Sequence, residues 1–161
     1  IAEDGASMQQ SAPVTATFSN GTVTIPNIQA CGTSTSQFFN YTINGTNYSF
    51  TAPADSFYMY QNPQTTPPQI VVSAEQFTPG QNGYLYLTFG QSGIGVGSTQ
   101  PVYSFYCNQL VDSAVINGPF NVNITEYGTT GQFISGNFSG SMTGTMNTYA
   151  ITGNFRIRRY F

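Results

Sequence analysis

Apolar positions in this chain recur at every second residue, in one stretch after another. Phe120, Val122 and Ile124 alternate with Asn121, Asn123 and Thr125, the period of a strand with one dry and one wet face. Ile134, Gly136, Phe138, Gly140 and Met142 share the parity of a second strand, and Tyr149, Ile151, Gly153, Phe155 and Ile157 that of a third. These two strands carry a short repeat, Ile134-Ser135-Gly136-Asn137-Phe138 against Ile151-Thr152-Gly153-Asn154-Phe155. Earlier in the chain, Phe57 and Met59 oppose Tyr58 and Tyr60 in parity, while Leu85, Leu87 and Phe89 oppose Tyr84, Tyr86 and Thr88. Further strand is expected over residues 70–74, 102–107 and 110–116.

The punctuation between these runs is that of hairpins. Asn-Gly between alternating segments favours a type I′ turn, which needs positive φ at both central residues. At Asn20-Gly21 it predicts Phe18 opposite Val23 and Ala16 opposite Ile25. At Asn44-Gly45 it predicts Ile43 opposite Thr46, Tyr41 opposite Tyr48 and Phe39 opposite Phe50. Pro63, Pro67 and Pro68 mark a loop, and Gly90, Gly93, Gly95 and Gly97 mark another, mobile one. A phosphate-cradling role for that glycine run needs a following helix and usually a lysine, and neither is present. No segment has a capped 3.6-residue period. The expected fold is all-β, an antiparallel β-sandwich of jelly-roll type, with a β-barrel as the alternative. Residues 1–12 are polar and unpatterned and are expected as an extended or disordered arm; residues 13–161 form one domain.

Composition narrows the function. The chain has 161 residues, enough for one domain with a real core. Only 6% of residues are charged and the net charge is -3. There is no Lys and no His, and the cations are Arg156, Arg158 and Arg159. Nucleic acid is not expected as a partner, since phosphate contacts draw on clustered Lys and Arg. The three arginines make either a small anion site or a solvated last strand. No apolar run is long enough for a membrane span. So weakly charged a surface has little repulsion between copies, which points to glycans, anchoring or a defined homo-oligomer or surface assembly.

Catalytic chemistry is limited by what is missing. Without His there is no Ser-His-Asp or Cys-His arrangement, and without Lys no Schiff base. The six acids permit the pair a two-carboxylate hydrolase needs, for instance Glu75 with Glu126 or Asp55 with Asp112, although nothing in their spacing indicates that they meet. Glu126 shares the parity of Ile124, which aims it towards the core side; the alternative is that, at the end of its strand, it escapes to solvent. No metal motif or cofactor signature is present. Cys31 and Cys107 are too far apart for a redox motif. They form either a disulfide, worth about 4 kcal/mol for so long a loop, or two buried thiols. A disulfide implies a compartment outside the cytosol. Tyr58, Tyr60, Tyr84 and Tyr86, on the wet parity, offer a stacking platform for sugar rings; the alternative is that they pack with only their hydroxyls at the rim. Asn-x-Ser/Thr occurs at Asn20, Asn40, Asn44, Asn47, Asn123 and Asn137, each a candidate glycosylation site.

The run from Asn123 to Gly140, with Ile151-Thr152-Gly153-Asn154-Phe155-Arg156-Ile157-Arg158-Arg159, resembles the ending of many secreted or cell-surface β-sandwich proteins of Bacteroidota. The resemblance covers about a quarter of the chain. It implies an extracellular setting and brings no catalytic residues. In that setting Asp112-Ser113-Ala114 resembles a short O-glycosylation site, at Ser113. The leading expectation is a non-enzymatic extracellular structural protein, a surface-layer or fibre subunit or an adhesion module. A carbohydrate-binding module using the exposed tyrosines comes second, and a two-carboxylate glycan hydrolase third.

Overall fold

The computed structural model describes residues 37–76, 83–90, 92–110 and 112–161, with four short strands earlier in the chain. The chain divides into two compact units, Ile1–Ser36 and Gln37–Phe161, a later division than the one placed at Pro13. In the first unit β1 (Glu3–Asp4) pairs antiparallel with β2 (Gln9–Gln10), inside the stretch expected as an arm. β3 (Thr17–Ser19) pairs with β4 (Thr22–Thr24) and sets Phe18 opposite Val23. Ala16, Asn20 and Ile25 lie outside the described residues.

The second unit is all-β. Its strands are β5 (Phe38–Ile43), β6 (Thr46–Thr51), β7 (Asp55–Asn62), β8 (Gln69–Gln76), β9 (Tyr84–Phe89), β10 (Thr99–Cys107), β11 (Val115–Ile116), β12 (Asn121–Tyr127), β13 (Phe133–Thr143) and β14 (Thr148–Arg158). They form one antiparallel sheet in the order β6-β5-β14-β13-β12-β10-β9-β8-β7, with β11 added beside β13. β5–β6, β7 to β10 and β12 to β14 are each runs of sequence neighbours paired side by side, and β14 returns to pair with β5. The sheet is therefore nearly closed into a barrel, open between β6 and β7. This is a meander, not the crossing order of a jelly roll, because most connections have hairpin length and leave no chain to cross over. Residues 110–116, expected as strand, contribute only the two residues of β11.

Local chemistry explains the register. Asn44 and Gly45 have φ of 49° and 83°, as a type I′ turn requires, and the three predicted cross-strand pairs of the β5–β6 hairpin all form. Tyr41 and Tyr48 stack at 5.1 Å. In β13 and β14 the repeat runs antiparallel to itself, so Gly136 faces Phe155 and Phe138 faces Gly153. A Cβ on Gly153 would collide with the Phe138 ring and the Asn40 carbonyl, and one on Gly136 would come within 2.8 Å of Val122 and 3.3 Å of Phe155. The glycines are thus covered by rings of adjacent strands in their own sheet.

β10 joins the two halves of the barrel. Thr99–Pro101 pairs with β12, and Val102–Cys107 pairs with β9. Pro101, which has no N–H, stands where the strand changes partner, and a register shift follows between Val102 and Ser104. The glycine-rich loop before it is tied to β12, since Gly97 N donates to Ile124 O at 2.9 Å and Ile124 N to Ser98 O at 2.9 Å. Both halves cover one core. Phe89 meets Phe155 at 5.7 Å, and Phe105 meets Phe120 and Phe138 at 5.8 and 5.9 Å. Each such pair adds about 0.5–1.5 kcal/mol beyond area burial.

Candidate functional site

The outer face of β7–β10 gathers tyrosines around a groove. The register sets Tyr58 beside Ser73, Ser73 beside Tyr86, and Tyr86 beside Tyr106; the next row runs Tyr60, Val71, Thr88, Ser104. At the middle of β8 the side chains on this face are small, Val71 and Ser73, and both are buried beneath their neighbours. Tyr58 and Tyr60 (50% and 54% exposed) stand to one side, and Tyr84, Tyr86 and Tyr106 to the other. The result is a trough of about 490 Å³ along β8, lined by Tyr60, Tyr84, Tyr86 and Tyr103 and edged by the amides of Asn62 and Gln69.

The inner wall is held by its own packing. Tyr86 and Tyr106 stack at 5.6 Å and 18°, and Tyr84 lies 6.1 Å from Tyr86 and 6.2 Å from Tyr106. Ser104 Oγ lies 3.3 Å from the Tyr86 hydroxyl. Burial, with the nearby Glu75 carboxylate second, pushes the Tyr84 phenol up, so that hydroxyl stays protonated and able to donate. Locked rings spaced across strands can stack on sugar faces, while phenols and amides bond to hydroxyls.

The structure brings together all four tyrosines singled out from the sequence. It adds Tyr103 and Tyr106, which period-two reasoning had passed over. Three residues apart, they belong to opposite parities in a regular strand. The register shift after Val102 removes that opposition, and both are exposed, at 44% and 46%. A signal was present: Gln100 and Val102 are buried on even positions, Phe105 and Cys107 on odd ones. A change of apolar parity within one strand marks a bulge.

The other singled-out residues take separate places. Cys107 is a buried free thiol beside the Tyr41 hydroxyl, and burial pushes it up; Cys31 lies outside the described residues. Tyr41 Oη donates to Gln109 Oε1 at 2.7 Å. Glu126 does not face the core. A register shift between Ile124 and Glu126 turns it outwards, where Arg156 binds it through Nε at 2.8 Å and Nη2 at 3.1 Å and Ser135 Oγ donates at 2.6 Å. These bonds, Arg156 first, hold its carboxyl below the usual range. Asp112 accepts from Tyr149 Oη at 2.6 Å and Met146 N at 3.1 Å, securing the β13–β14 turn, and Asp55 accepts from Thr51 N at 2.6 Å. Glu75 lies on the tyrosine face opposite Tyr84.

The arginines sit among aromatic rings. Arg156 lies 3.7 Å from the Phe133 centroid, and Arg159 lies 4.7 Å from Tyr127 and 4.9 Å from Phe161. Arg158 is buried. Among the described residues, no three His, Cys, Asp or Glu side chains converge as metal ligands.

Several Asn-x-Ser/Thr matches have a simple structural origin. On a strand, residues i and i+2 share a face, so outward Asn followed by outward Ser or Thr reads as that motif. Asn40, Asn123 and Asn137 are of this kind, and Asn47 begins a similar outward pair with Ser49. Asn44 is committed to the β5–β6 turn, accepting from Ala150 N at 2.8 Å. Ser113 is exposed. No protein-family model, curated protein or solved structure matches this chain.

Proposed function

We propose that the protein is a non-enzymatic extracellular adhesion module that binds glycans in the tyrosine-walled trough. One observation carries the reading: four tyrosines of three strands, Tyr60, Tyr84, Tyr86 and Tyr103, line one outer trough around a floor of small side chains, with Tyr58 and Tyr106 on the same face beside it. A monomeric protein gains nothing in its core from rings so placed, whereas a sugar chain lying along β8 stacks between Tyr58 and Tyr60 on one side and Tyr84 and Tyr86 on the other. The absence of His and Lys and the engagement of Glu126 and Asp112 in structural bonds favour binding over turnover.

The test is a glycan array followed by titration calorimetry on the best ligand. Replacing Tyr60 or Tyr86 by Ala is expected to weaken binding about threefold to tenfold each, the worth of one aromatic contact. Affinity unchanged in a Tyr60→Ala/Tyr86→Ala variant sinks the proposal.

A surface-layer or fibre subunit is the second reading, favoured by one feature. The barrel is open at β6, a six-residue edge strand without a charged side chain, and nothing in its sequence deters pairing with another strand. Light scattering of the concentrated protein distinguishes the two, since a strictly monomeric solution removes the assembly reading and leaves the first intact.

A further inference from the structure

The outer face on the opposite side of the barrel core carries a second ordered array, and it contains no tyrosine platform. One register row crosses five strands as Asn123, Asn137, Asn154, Asn40 and Ser49, and Thr99 on β10 continues it beyond Asn123. The row beside it reads Ser139, Thr152, Thr42 and Asn47. Asn is depleted in strands, so four at mid-strand in one line oppose local propensity. Burial does not explain them, because Asn123, Asn137 and Asn154 are exposed.

Asn40, Asn123 and Asn154 are held in place by neighbouring side chains. Ser49 Oγ donates to Asn40 Oδ1 at 2.7 Å, Asn40 Nδ2 to Asn154 Oδ1 at 3.1 Å, and Thr99 Oγ1 to Asn123 Oδ1 at 2.7 Å. Thr42 and Thr152 join their hydroxyls at 2.8 Å. The carbonyl ends of Asn123 and Asn154 are thereby occupied, and their Nδ2 groups are left towards solvent with the whole amide of Asn137 between them. Three donor-bearing side chains follow one another at the strand spacing, about 4.8 Å. They lie in a groove of about 620 Å³ whose lining includes no charged residue.

We infer that this asparagine row is a binding site for an extended, neutral, β-linked polysaccharide running across the strands. The strand spacing is close to the advance of one pyranose ring in such a chain, so successive sugars meet successive amide donors. The hydroxyls of Thr152 and Thr42 supply a parallel line of partners. The rotamers of Asn123 and Asn154, fixed before binding, lower the ordering cost. A polyanion finds no cation among the lining residues. This site is independent of the tyrosine trough and stands or falls separately.

The test uses the whole chain in affinity electrophoresis through gels containing hydroxyethyl cellulose, soluble galactomannan or alginate. The background is a Tyr60→Ala/Tyr86→Ala variant, in which the trough is disabled. That variant is expected to be retarded by at least one neutral gel and not by alginate. Adding Asn137→Ala and Asn154→Ala is expected to lower the affinity about tenfold, as for two lost hydrogen bonds. Thr152→Val, which keeps side-chain shape, is expected to lower it about threefold. Unchanged melting temperatures establish that each variant is folded. No retardation of the trough variant by either neutral polymer overturns the inference, as does retardation by alginate alone. Retardation that survives the asparagine changes overturns it too.

Discussion

The most exacting positions are single residues where one atom decides the packing. Gly153 lies under the Phe138 ring and against the Asn40 carbonyl, leaving no space for a Cβ. Gly153→Ala is expected to destabilise the fold by about 1–3 kcal/mol, read as a lower urea midpoint with an unchanged slope. Glu126 makes a second residue-scale prediction. Its carboxyl is held below the usual range by Arg156 and then Ser135. A lowered native value means stability that is complete above the unfolded value, about 4.3, and is lost as pH falls through the native one. Melting temperature is expected to drop on acidification below that point, and the drop to be smaller in Glu126→Gln. An equal acid response in both chains refutes the assignment. Parity aimed Glu126 at the core, because a one-residue shift in register leaves no mark in the apolar pattern after Ile124.

Hairpins are the elements most legible in sequence. Asn44-Gly45 dictates positive φ at two successive residues, and the β5–β6 register follows from the turn alone. Replacing Gly45 by Ala forces a Cβ into the left-handed region. The cost is expected to be about 1–2 kcal/mol, measured by chemical denaturation, with no loss elsewhere in the sheet. The bulges were less legible. Tyr103 and Tyr106 belong to the candidate site only because β10 shifts register beside Pro101, where it changes partner. The pairing that shapes the site is long-range, and turn chemistry says nothing about it. A Tyr106→Ala change is expected to loosen Tyr86, its stacking partner, and to weaken glycan binding to a similar degree as Tyr86→Ala in calorimetry.

For the whole molecule, strand content was readable and closure was not. Alternation announces a dry and a wet face for each strand, yet a sandwich and a barrel use the same alternation. What distinguishes this chain is the return of β14 to β5, a contact between segments that share no local signal. The core enclosed by that return draws on residues from Phe39 to Ile157. Residues 37–161 alone are therefore expected to unfold in one cooperative transition. A broad, non-cooperative melt of that fragment argues against an autonomous second unit.

The same return sets the order in which the barrel can be made. A ribosome delivers β5 about a hundred residues before β14, roughly 5–20 s earlier at ordinary elongation rates. Throughout that interval the β5–β6 hairpin can be complete while one flank of β5 is an unsatisfied ladder rich in Phe and Tyr and carrying no charge. The nascent chain thus passes through a period in which a stray strand from another copy competes with β14 for the same groups. Shielding that flank during synthesis is therefore expected to raise production yield even where the stability of the finished barrel is unchanged.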